Sequence, residues 1–124
     1  MNKRVLDVGN CAMDHSAIRR LVEGTFDAHV DQAHDGQEAL EQLRQERYVL
    51  VLVNRQLDQD ASDGLDVIRQ IKSDPELSQT PCMLITNFAE HQRLAVAEGA
   101  VEGFGKADLE DPRVPERLRP FLAE

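Results

Sequence analysis

Residues 49–64 read VLVLVNRQLDQDASDG. The opening Val and Leu residues suit extended chain, and the lack of any polar side predicts a strand covered on both faces. With Tyr48 in front, that strand is placed at 48–53. It stops abruptly at Asn54. Acids follow as far as Asp63-Gly64, where an aspartate ahead of an apolar-periodic run starts a helix. Strands of this kind belong to parallel sheets flanked by helices, so the reading turns on what such a sheet gathers around Asn54.

Outward from this stretch, strand and helix patterns alternate. RVLDV (4–8) reads as a strand, and DHSAIRRLVEGTF as a helix with Asp14 or Ser16 as N-cap and Ile18, Leu21, Val22 and Phe26 on one face. AHVDQA (28–33) alternates like a half-exposed strand. DGQEALEQLRQER has Asp35 three residues before Glu38, a capping-box-like start, and buries Ala39, Leu40 and Leu43. The helix from Asp63-Gly64 runs through Leu65, Ile68 and Ile71. CMLIT (82–86) is a second wholly apolar strand, followed by a helix stopped at Gly99, a short strand VEGFG, and a last helix burying Val114, Leu118, Phe121 and Leu122.

Five strands and five helices in strict alternation predict right-handed crossovers and an α/β three-layer sandwich. The alternating strands (28–33 and 101–105) suit sheet edges and the apolar ones its middle. That is the flavodoxin-like (βα)5 arrangement, a five-stranded parallel sheet in the order 2-1-3-4-5. Ligands of such sheets sit beyond the carboxyl ends of the strands, at the switch between strands one and three. Asn54 lies there.

Composition narrows the function. The 124 residues carry 41% hydrophobic and 30% charged side chains, a soluble balance read as one domain, 1–124. A net charge of −9 argues against a nucleic-acid partner. No apolar run reaches the roughly 20 residues of a membrane span, and the start lacks a signal-peptide core, so a cytoplasmic location is expected. Cys11 and Cys82 fall at opposite ends of the expected sheet and read as unpaired thiols. His15, His29, His34 and His91 lack metal-ligand spacing and read as surface or capping residues. GNC is no dinucleotide fingerprint, there is no Walker lysine, and no Ser-His-Asp order stands out, so no enzyme activity is expected.

AIRRLVEG, AHDGQEALEQLRQERYVLVLVN, SDGLDVIRQIKSDPELSQTPCMLIT and AVAEGAVEGFGKADLEDP, in this order and spacing, give the specific resemblance. The chain resembles the receiver domain of bacterial two-component response regulators over essentially its full length. The resemblance implies an aspartate at the end of strand three that takes a phosphoryl group from a histidine kinase. It also implies an acidic pair after strand one that helps hold magnesium, a Thr or Ser ending strand four, and a Lys after strand five. Thr86 and Lys106 match the last two positions, and Asn87 follows Thr86 into the pocket.

The acceptor position holds Asn54, whose amide has neither the charge nor the nucleophilic oxygen of a carboxylate. The bland alternative is a turn asparagine outside the pocket. The linker to Asp63-Gly64 is about two residues longer than in the family, which leaves Asp58 or Asp60 as candidate displaced acceptors. The acidic pair becomes Gly9-Asn10 if strand one anchors the alignment and Met13-Asp14 if the helix does, so Asp14 is either a pocket carboxylate or an N-cap. Asp7 is either hydrogen-bonded within the crevice or edges the pocket after an early strand end. Gly103 falls where many receivers carry the aromatic of their switch, with Phe104 one residue late.

These departures lead to the expectation of a pseudo-receiver, acting by binding another signalling protein (a histidine kinase, phosphotransfer protein or output protein) without aspartyl phosphorylation. Magnesium binding is expected to be weak or absent, and homodimerisation is left open. The alternatives are a single-domain response regulator phosphorylated on Asp58 or Asp60, and a small-anion sensor using Asn10, Asn54, Thr86, Asn87 and Lys106.

Overall fold

A computed structural model describes residues 3–123 of the chain. Its strands are β1 (Lys3–Val8), β2 (Ala28–Ala33), β3 (Leu50–Asn54), β4 (Cys82–Ile85) and β5 (Val101–Phe104). Its helices are α1 (Ala12–Thr25), α2 (Gly36–Gln45), α3 (Gly64–Ser73), α4 (Ala89–Ala97) and α5 (Arg113–Leu122), with a 3₁₀ turn at Lys106–Asp108. All five strands are parallel, in the order β2-β1-β3-β4-β5. The two alternating strands form the edges, as the sequence predicts.

Strand alternation divides the core in two. Leu6, Val8, Val51, Val53 and Leu84 face α2, α3 and α4, where Ala39, Leu43, Leu65, Ile68 and Ile71 meet them. Val5, Leu50, Leu52, Met83 and Ile85 face α1 and α5, against Ile18, Val22, Val114, Leu118 and Leu122. Both faces of β3 are thereby sealed, which explains its unbroken apolar run. The helix α4 contrasts with the others, because Ala95 is its one buried residue.

Three boundaries differ from the sequence reading. β3 begins at Leu50, because Tyr48 turns its hydroxyl to Asp31 at 2.8 Å before the ladder starts. β4 ends at Ile85, leaving Thr86 in the loop beyond it. Neither Asp14 nor Ser16 caps α1: the helix starts a turn earlier, with Cys11 in the capping position and no side-chain cap bond. Gly9 makes that early start feasible, since φ of +79° lets the chain turn sharply straight out of β1. Cys11 and Cys82 are both free, at opposite ends of the sheet as expected.

Candidate functional site

The carboxyl ends of β1 and β3 meet at Gly9 and Asn54. Half-buried at the end of β3, Asn54 donates from Nδ2 to the carbonyl of Gly9 at 3.2 Å and to that of Gln56 at 2.8 Å. It is thus inside the switch-point crevice, and its donors are spent on main-chain oxygens. Beyond it, Gln56 pairs with Asp63, Leu57 N–H donates to Ser62 O at 2.9 Å, and Ala61 takes a positive φ of 59°. The long linker is therefore a small folded hairpin. It tucks Leu57, 1% exposed, over Gly9, where a Cβ would lie 2.3 Å from the leucine Cδ2. Burying that leucine contributes about 2 kcal/mol. The same hairpin leaves Asp58 and Asp60 exposed, with Asp60 bonded to Ser62 and lining the recess between α2 and α3. Neither leans into the crevice.

Below Gly9, β1 continues through Asp7, which is fully buried on the α1 side. Its carboxylate accepts from Asn10 Nδ2 and lies 2.7 Å from His15 Nδ1. Burial pushes the carboxyl above its ordinary value, against the lowering effect of the His15 and Asn10 bonds and of the Lys106 charge. Asn10 Oδ1 is buried without a partner. Asp7 is thus a hydrogen-bonded crevice residue on a strand that does not end early.

Asp14, in the first turn of α1, reaches across to Lys106, with Oδ2 2.7 Å from Nζ and 3.4 Å from Cys11 Sγ. The Lys106 ammonium holds the Asp14 carboxyl below the usual range. On the other flank, Asn87 Oδ1 accepts from Ala107 N–H at 3.1 Å and fixes the loop after β5. Thr86 Oγ1 lies 3.1 Å from His91 Nδ1 on α4. Among the described residues, neither Thr86 nor Lys106 hydrogen-bonds Asn54.

Comparison with known proteins places this geometry. The response regulator receiver domain family matches residues 11–107. The chain belongs to the response regulator receiver family. It is 27% identical to the polar-differentiation response regulator DivK of Brucella anthropi, over all of this chain and 99% of that protein. Solved structures confirm the fold: a response regulator from Thermotoga maritima superposes with a TM-score of 0.80 at 23% identity, covering both chains fully. The chemotaxis protein CheY4 of Vibrio cholerae gives 0.75 at 19% identity, covering 97% of this chain and 95% of that one. Receiver domains are signalling modules that work with other signalling proteins, and no helix among the described residues is long and apolar enough to cross a membrane.

The crevice offers few free oxygen donors. Magnesium takes hard oxygens in near-octahedral geometry, typically with one or two carboxylates. Around Asn54 stand the Gly9 carbonyl, already shared between Asn54 and Asp58 N–H, and the buried Asn10 amide. Asp14 is neutralised by Lys106, and Asp7 is enclosed by its own donors. No three His, Cys, Asp or Glu side chains gather as metal ligands among the described residues. This set does not fit a magnesium ion.

At Gly103, a Cβ would lie 2.3 Å from Leu84 O. The β4–β5 register shifts there, between the Met83–Val101 and Ile85–Phe104 pairs. Gln92 of α4 spans the gap, accepting from Gly103 N–H at 2.8 Å and donating to Leu84 O at 2.9 Å and Thr86 O at 3.2 Å. Arg117 of α5 donates to Gly103 O. Phe104 points into the core beside α1 and α5. Sequence reasoning missed Gln92 and took His15 and His91 for surface or capping residues. Helical spacing offered the one available clue, since each lies within the first turn or two after a strand's end, where a helix passes back over the crevice.

Proposed function

We propose that this receiver is a pseudo-receiver: a signalling module whose output comes from binding a kinase, phosphotransfer or output protein, without aspartyl phosphorylation and without magnesium. The observation that carries the reading is the Asn54 amide at the end of β3, hydrogen-bonded to Gly9 O and Gln56 O. An amide there offers no oxygen nucleophile for an acyl phosphate. The Asp14–Lys106 pair supports it, since the lysine is neutralised from within the chain. Asp58 and Asp60, exposed on the hairpin, give no support to a displaced acceptor. With Lys106 and Asn87 engaged, nothing favours an anion sensor. Incubation with acetyl phosphate and magnesium, read by intact mass, tests the reading. An unchanged mass is expected; a single phosphate adduct mapped to Asp58 or Asp60 overturns it.

A further inference from the structure

We propose that His91 is a pH-sensitive latch on α4, a device that goes beyond the pseudo-receiver reading and does not rest on it. Both of its ring nitrogens are engaged. Arg55, in the linker after β3, donates from Nε to His91 Nε2 at 3.1 Å. Arginine can only donate, so Nε2 is an acceptor and the imidazole proton sits on Nδ1. Nδ1–H then donates to Thr86 Oγ1, which also accepts from Phe88 N–H at 3.3 Å. The neutral ring is the form that satisfies all three elements: the end of β3, the end of β4 and α4.

The helix it holds is lightly anchored. Among the described residues Ala95 is the buried side chain of α4, its N-cap Phe88 makes no side-chain cap bond, and Phe88, Leu94 and Val96 are 65%, 52% and 47% exposed. Polar ties from His91 and Gln92 therefore do what apolar burial does for the other helices. A second proton on His91 places N–H against N–H and cation against cation at Arg55, and that arm must open. Arg55 faces the ring from the linker, Thr86 from the loop after β4, and the Phe88 ring packs edge-on at 5.4 Å. Glu90 and Arg93 share its surface recess.

The test is amide exchange of the intact protein between pH 7.5 and 5.5, corrected for intrinsic exchange, with the His91 imidazole followed by NMR. Protection at residues 91–95 is expected to fall about tenfold, equivalent to about 1.4 kcal/mol of local opening, in step with the His91 resonance. The step should vanish in His91→Gln, whose amide stays neutral, and in Arg55→Met, which removes the opposing cation. Uniform protection in the wild type, or a step that survives either substitution, overturns the latch.

Discussion

Asp14 of α1 and Lys106 of the turn after β5 meet in an ion pair, their charged atoms 2.7 Å apart. Each side chain is about a third exposed, so solvent screens the pair and its contribution is modest, about 0.5 kcal/mol. The Asp14 carboxyl is held low, so this stability is present above its unfolded value of 3.8 and disappears as pH falls through the depressed folded value. Asp14→Asn should therefore cost about 0.5 kcal/mol in urea unfolding at pH 7 and nothing at pH 2. An equal cost at both pH values would mean that the pair is not the source.

Asp7 has the opposite sign. Its carboxyl is raised by burial, so the folded state holds that proton more firmly than the unfolded chain. The contribution is fully present below 3.8 and is lost as pH rises through the folded value. Asp7→Asn keeps the site satisfied: its oxygen accepts from Asn10, and its amide donates to His15 Nδ1 in the other tautomer. The variant's Tm minus that of the wild type should increase from pH 4 to pH 8 by a few degrees. A difference that is flat or declining with pH would show that the buried charge is fully compensated.

Gly103 has no room for a side chain. With Leu84 O 2.3 Å from a Cβ, even Gly103→Ala must part β4 from β5 and disturb the Gln92 bridge. A loss of about 3 kcal/mol is expected for alanine, and an unfolded product for tyrosine. Gln92→Ala leaves Gly103 N–H without its acceptor and should cost about 1–3 kcal/mol. Chemical denaturation of the three variants checks the order.

Much of the fold was legible because burial on two faces leaves no alternative pattern for β3 and β4, and because edge strands must alternate. Asn54 at the end of β3 was legible for the same reason. The start of α1 was not, since an extra turn ahead of a good N-cap residue depends on Gly9 adopting a positive φ, which composition does not reveal. From the sequence Asp14 was therefore open between an N-cap and a pocket carboxylate, and the structure pairs it with Lys106. The linker hairpin escaped notice because its register is set by Leu57 dropping onto Gly9, a contact between residues 48 positions apart. Polar bridges such as Gln92 and His91 leave no mark in the apolar periodicity, only their place in the first turns after a strand.

Asn54→Asp is the substitution that most directly separates scaffold from chemistry. By size it is nearly isosteric, but the hydrogen bonds make it costly. Nδ2 donates to Gly9 O and Gln56 O, and a carboxylate would set oxygen against both carbonyls. A loss of about 1–3 kcal/mol is expected at pH 7. It should shrink in acid, where the protonated carboxyl regains a donor. Lys106 could relieve the new charge only by leaving Asp14, which then stands free without a second carboxylate ready beside it. Without a metal to neutralise the incoming phosphoryl group, acetyl phosphate should modify residue 54 slowly or not at all. Intact mass after incubation with magnesium decides the point. Rapid, stoichiometric phosphorylation of the variant would show that Asn54 alone separates this chain from ordinary receiver chemistry, and that Asp14 serves the metal as readily as it serves Lys106.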